Sequence, residues 1–205
     1  MDRRTLVASG LSLLAAPAFA QVQALPLKDR LLVDQAATYL QSVKQAKGRF
    51  TQTSSRGSSS AGTLYLNRPG KARFEYDPPA EMLIVSDGRN VSIYDRRLKT
   101  FDRYPLGATP LGIFLSRRIR LDEDVKVTGL TRTTDGFGIT CVDGKGQADG
   151  RLVLEFTNEP ITLAGWTVVD GQGVRTQVRL SGMTAASGFD PALFVLTDPR
   201  RADKG

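Results

Sequence analysis

The chain has no histidine, one cysteine and one tryptophan in 205 residues. Without imidazole there is no Ser-His-Asp or Cys-His nucleophile system, no histidine metal ligand and no histidine pH switch. The lone Cys141 closes no internal disulfide and builds no thiolate zinc site. The one mostly apolar stretch, Leu6 to Ala16, is too short and too early for a stable membrane span. What is present suffices for one sizeable core: 40% of residues are hydrophobic, and the length suits a single domain.

The first twenty residues read as an export signal. Met1-Asp2-Arg3-Arg4 is a short basic start, the apolar stretch follows, and Ala18-Phe19-Ala20 supplies a small-x-small site. Residues 1–20 are therefore expected to be a signal peptide and residues 21–205 the mature domain. Arg3-Arg4-Thr5-Leu6-Val7 loosely fits a twin-arginine signal, and either export route leads out of the cytoplasm. No cysteine stands directly after the expected cleavage site, where Gln21 lies, so the mature protein is expected to lack the anchoring residue of an exported lipoprotein. Removing the signal leaves 26 basic and 20 acidic residues, a net charge of +6. Export and the lack of interleaved exposed aromatics argue against nucleic acid, and the charge suits anionic membrane or an acidic protein patch.

From Leu25 to Lys47, Leu32, Ala36, Leu40 and Val43 recur at helical spacing, with Tyr39 on the flank and Asp29, Gln35, Gln41 and Lys44 elsewhere. An amphipathic helix ended by Gly48 is expected. From Arg49 the period becomes two, in about eleven runs: 49–56, 62–67, 71–76, 82–86, 90–95, 100–104, 124–130, 136–142, 151–157, 161–169 and 173–181. Hairpin material such as Ser86-Asp87-Gly88-Arg89 and Asp170-Gly171-Gln172-Gly173 separates them. Short connections imply antiparallel neighbours, hence a meander that curls into a barrel or half-barrel. The series is interrupted between Leu106 and Arg118. There Thr109-Pro110 reads as a cap followed by the first helical residue, and Leu111, Phe114 and Leu115 fall on one face of a second short helix. A long curved sheet has more apolar face than its own curling covers, so the concavity closes on side chains or holds an apolar guest.

Candidate chemistry is sparse. Asp77, Asp87, Asp95 and Asp102 are carboxylates at strand ends or turns, where aspartate is common for backbone reasons. The loop from Asp143 to Asp149 lacks the ligand spacing of an EF-hand. No cofactor and no metal are expected, and no enzymatic activity.

In order, the chain presents Phe50-Thr51-Gln52; Gly62 to Tyr76 with Asn67-Arg68-Pro69-Gly70 at its turn; Leu83-Ile84-Val85-Ser86-Asp87-Gly88; Val91 to Tyr94-Asp95; the Thr109-Pro110-Leu111 helix; and Phe194-Val195-Leu196-Thr197. This order and spacing resemble the periplasmic outer-membrane lipoprotein carriers, the LolA family, over nearly the whole mature chain. The resemblance implies a mainly β, α+β fold: one unclosed antiparallel barrel with a helical lid over an apolar cavity. It implies a monomeric periplasmic chaperone that holds lipoprotein acyl chains. The implied partners are an ATP-driven (ABC) lipoprotein-release transporter of the inner membrane and an outer-membrane receptor or the outer membrane itself. By the same resemblance Arg68 is the latch that bonds lid backbone. Leu32, Ala36, Leu40 and Val43 belong to the first lid helix, Leu111, Phe114 and Leu115 to the second, and Phe74 to the strand after the Arg-Pro turn. Trp166 joins the cavity set by size and apolar setting alone. Two other readings remain at this level. One is an envelope-stress sensor of the same half-barrel fold, which usually carries a further C-terminal domain; the other is an exported hydrolase, disfavoured by the missing histidine.

Overall fold

A computed structural model describes residues 25–117, 125–144 and 149–200; the expected signal peptide lies outside them. After helix α1 (Leu27–Ser42) come strands β1 (Gln45–Ser54), β2 (Ser59–Asn67), β3 (Lys71–Tyr76), β4 (Met82–Asp87), β5 (Asn90–Asp95) and β6 (Thr100–Pro105). A 3-10 turn at Leu106–Ala108 leads into helix α2 (Leu111–Leu115). Then follow β7 (Val125–Arg132), β8 (Gly136–Asp143), β9 (Arg151–Thr157), β10 (Leu163–Val169), β11 (Arg175–Ala185) and a last 3-10 turn, Pro191–Phe194.

All eleven strands form one antiparallel sheet in the order β6-β5-β4-β3-β2-β1-β11-β10-β9-β8-β7. Two meanders are zipped together by β1 and β11, with Phe50 opposite Leu180 and Gln52 opposite Val178. Among the described residues no β6–β7 pairing closes the ring, so these two strands are its edges and the barrel is unclosed, as expected. The segment carrying α2 connects one edge to the other. Edge strand β6 is blunted by exposed Asp102, Arg103 and Pro105, which discourage pairing with a further strand.

Period-two alternation puts the apolar set on the concave side. Phe50, Leu64, Leu66, Ala72, Phe74, Ile139, Leu154, Phe156, Trp166 and Val178 are buried in one cluster with Val33, Ala36, Leu40, Phe114 and Leu115 of the helices. Each large apolar side chain buried this way contributes about 1.5–3 kcal/mol. On the convex side, Leu83, Val85 and Phe194 are buried outside that cluster. The C-terminal segment crosses there, held by Arg73 donating from Nη1 to the Leu193 carbonyl at 2.9 Å.

Three local expectations change. Helix α1 stops at Ser42, and Gly48 lies inside β1 at a bulge between Lys47 and Arg49. A Cβ on Gly48 would come within 2.9 Å of the Met183 Cα, so the glycine serves the close approach of β11 and not a helix stop. Val43 is consequently the residue after the helix, in extended conformation. The buried face of α1 is Asp29, Val33, Ala36 and Leu40, which brings Asp29 inside and leaves Leu27 and Leu31 exposed. The second helix is only five residues long. The Thr109 hydroxyl donates to the Leu106 carbonyl at 2.8 Å and caps nothing, while Pro110 already has helical dihedrals.

Candidate functional site

Strand faces and helix packing leave two apolar cavities inside the concavity. The first, about 270 Å³, lies under the C-terminal end of α1 and the start of β1; Leu40, Val43, Leu66, Leu163, Leu180 and Met183 are among its walls. The second, about 170 Å³, lies under α2 between Ile84, Val91, Ile93, Leu111, Trp166 and Val168. Phe114 lines both and separates them. Each is smaller than the about 300–1,000 Å³ of a pocket that encloses a drug-sized ligand; joined, they reach that range. In the form described the two spaces are separate, and Phe114 stands where they would merge.

Phe114 is held from both sides. Trp166 stacks on it with ring centroids 5.4 Å apart and an interplanar angle of 28°. Phe74 meets Trp166 edge-on at 6.1 Å. The guanidinium of Arg68 sits 5.7 Å from the Phe114 ring centroid, within cation–π range.

Arg68 itself joins three elements. It begins the β2–β3 turn and is only 7% exposed. Nη1 donates to the Leu40 carbonyl in the last turn of α1, and Nη2 donates to the Ser116 carbonyl just beyond α2 at 3.1 Å. Two residues on, the Gly70 N–H donates to the Leu115 carbonyl at 2.8 Å. Helix C-termini present carbonyls without intrahelical partners and carry partial negative charge, so a planar cation with several donors suits both at once. Gly70 has φ +80°, and a Cβ there would lie 2.8 Å from the Gly88 Cα, which is why this position is glycine. The Ser86 hydroxyl, buried beside it, donates to the Gly70 carbonyl at 2.6 Å.

The charge of Arg68 is poorly compensated. Among the described residues it has no carboxylate partner, its Nε is buried without a hydrogen bond, and burial lowers its pKa to about 10. It stays protonated at neutral pH, so this position buries a charge whose cost the two carbonyls and the Phe114 face only partly offset.

Of the residues singled out from sequence, Leu40, Val43, Leu111, Phe114 and Trp166 form cavity walls. Ala36, Phe74 and Leu115 are buried in the surrounding core, and Leu32 packs against it half-buried. Sequence reading passed over Leu66, Leu163, Leu180 and Met183 of the first cavity and Ile84, Val91, Ile93 and Val168 of the second. Strand alternation marks most of them as inward-facing, while Leu163 and Met183 lie at register shifts that break it, and only the helix positions decide which inward residues border a space.

The four candidate aspartates do not converge. Asp77 pairs with Arg49, and that bond holds its carboxyl below the usual range. Burial alone would raise Asp87, but N–H donation from Asn90 and Arg89 and the nearby Arg103 bring it below normal. A general acid needs the opposite shift. Asp95 accepts from the Leu98 N–H in its turn. Among the described residues no group of three or more His, Cys, Asp or Glu could hold a metal ion, and much of the Asp143–Asp149 loop lies outside them.

Cys141 is a free thiol, buried at 0% exposure, and burial pushes its pKa up to about 12. Burial thus leaves little thiolate at pH 8, and thiolate is the reactive form. Native protein mixed with Ellman's reagent at pH 8 should release chromophore at least about 100-fold more slowly than protein in urea. Equal rates would place Cys141 at the surface.

A family model described as outer membrane lipoprotein carrier protein LolA matches residues 41–197. The chain is 29% identical over 184 residues to an outer-membrane lipoprotein carrier protein of Methylibium petroleiphilum, covering 83% of this chain and 87% of that one. It is 33% identical over 182 residues to the protein of the same description from Cupriavidus necator, covering 83% and 85%. Its fold is similar to the crystal structure of a LolA superfamily protein from Nitrosomonas europaea, with TM-score 0.50 and 9% identity over 82% of this chain and 97% of the other.

Proposed function

Because the chain belongs to the LolA family of outer membrane lipoprotein carriers, we propose that it is a periplasmic chaperone that carries lipoproteins from the inner to the outer membrane by holding their acyl chains. The observation that carries this reading is the pair of apolar cavities under two helices whose C-termini are fastened by one buried arginine. Each methylene exposed to water costs about 0.8 kcal/mol, so an acylated protein does not cross an aqueous compartment unaided. A lidded apolar concavity offsets that cost only while the chain is inside it.

In this reading residues 1–20 direct export and are removed. Cargo arrives from an ATP-driven inner-membrane transporter and leaves to a receptor or to the outer membrane. Entry displaces Phe114 and lifts α1 and α2, so the two cavities become one. Arg68 then gives up its carbonyl partners, and their return drives the lid closed after release. Leu40, Val43, Leu111, Phe114 and Trp166 contact the acyl chains; Leu32, Ala36, Phe74 and Leu115 support that wall from the core.

The direct test uses inner-membrane vesicles that contain the release transporter and a radiolabelled lipoprotein. Adding this protein with ATP is expected to bring label into the soluble fraction as a complex with it; label that remains in the membrane at every protein concentration would reject the reading.

A further inference from the structure

Helix α1 is covalently tied to the sheet at one end. Only Val43 and Lys44 separate Ser42 from the first residue of β1, so the C-terminal end of α1 cannot travel far. Arg68 grips Leu40 within a turn of that link. The other end begins at Leu27 after Leu25 and Pro26, which belong to no strand. Among the described residues, one polar side-chain contact joins the N-terminal half of α1 to the sheet: Arg132 Nη1 to Asp29 Oδ1 at 2.5 Å, across 103 positions of sequence.

We infer that Asp29 and Arg132 are a positioning pair that clasps the free end of the lid. Asp29 lies on the buried face of α1 with Val33, Ala36 and Leu40, and its side chain is 12% exposed. A carboxylate in that setting needs a partner. Arg132 is the last residue of β7, the sheet edge facing the unclosed side, and its side chain is 44% exposed. The pair therefore pins the lid across the opening, with the carboxylate inside and the guanidinium open to water.

Lever geometry gives the order of events. At 1.5 Å rise per residue, Asp29 stands about 20 Å from the link and Leu40 about 3 Å. A tilt of about 15° about the link moves Asp29 by about 5 Å and Leu40 by less than about 1 Å. Such a tilt breaks the Asp29–Arg132 contact while leaving the Arg68–Leu40 bond within reach. The clasp therefore opens first, and it sets how often the apolar core under Val33 and Ala36 is exposed.

What the opening serves rests on the carrier reading; the clasp does not, and the experiment separates them. Hydrogen exchange is followed by mass spectrometry in full-length mature protein for wild type, Asp29→Asn, Arg132→Gln, the double variant and Arg132→Lys. Uptake of the apolar dye N-phenyl-1-naphthylamine is measured on the same samples. Each neutralising variant is expected to speed exchange of residues 27–35 by about fivefold or more, with strand peptides unchanged. The double variant should be no faster than either single one, and Arg132→Lys should stay near wild type. Dye uptake should quicken by the same factor. Unchanged exchange in both single variants, or additive effects in the double, overturns the clasp, as does faster exchange spread over all strands. Wild-type protein that takes up neither dye nor lipoprotein, while the α1 exchange responds as described, overturns the carrier reading and leaves the clasp standing.

Discussion

Arg68→Leu is expected to retain cargo and to deliver it about 30-fold less readily. The substitution removes both hydrogen bonds from a charged donor, to the Leu40 and Ser116 carbonyls, and leaves those oxygens in a closed interior with one partner fewer. Bonds from charged groups contribute about 1.5–3 kcal/mol each. Relief of the buried charge, whose cost the lowered pKa reflects, returns part of that. A net loss of about 2 kcal/mol from the closed, empty state corresponds to about 30-fold in equilibrium. Emptying the cavity ends in that state, so release weakens and apparent cargo affinity rises by the same factor. Transfer of bound lipoprotein to outer-membrane vesicles measures it. Arg68→Lys should fall between, since an ammonium cannot span two helix ends as a planar fork does. Transfer by Arg68→Leu at the wild-type rate would remove the latch role from Arg68.

The largest effect on stability is expected at Trp166. Its indole is 5% exposed and wedged between Phe114 and Phe74, so truncation removes two ring contacts and leaves a void beside the second cavity. Trp166→Ala should cost about 3–5 kcal/mol, a large share of the about 5–15 kcal/mol of an ordinary domain. As Trp166 is the sole tryptophan, denaturation of the variant is followed by circular dichroism rather than fluorescence. Trp166→Phe keeps an aromatic wedge and should cost well under half as much. A loss below about 1 kcal/mol for alanine would mean that the indole borders open space and is not a packed divider. In the wild type the same residue reports opening, since separation from Phe114 changes its emission when an apolar guest enters.

The strand series was readable because alternation against one buried face is a local pattern, and the eleven expected runs match the eleven strands closely. Hairpin turns such as Asp87-Gly88, where the Asp87 carboxylate accepts from the Arg89 and Asn90 N–H groups, mark themselves by chemistry. The rotation of α1 was less legible. Leucines at 27, 31 and 32 and Val33 allow more than one apolar stripe, and packing on the sheet chose the one with Asp29 and Val33 inside. Nothing near Asp29 announces a partner 103 residues away. Gly48 ends the helical period in sequence but serves a strand bulge, because the strand already begins at Gln45. Of the site, Phe114 was marked by its helical spacing with Leu111 and Leu115, whereas Arg68 was reached through family resemblance. The division of the interior into two cavities depends on side-chain placement from six or more elements, which no local pattern encodes.

Native mass spectrometry of the protein isolated from an envelope fraction without detergent tests the central claim most directly. The account predicts a population heavier than the mature polypeptide by the mass of an acylated protein or lipid, which dissociates when apolar dye is added in excess. Bare polypeptide as the sole species, including after incubation with lipoprotein-loaded inner-membrane vesicles, the transporter and ATP, would contradict it.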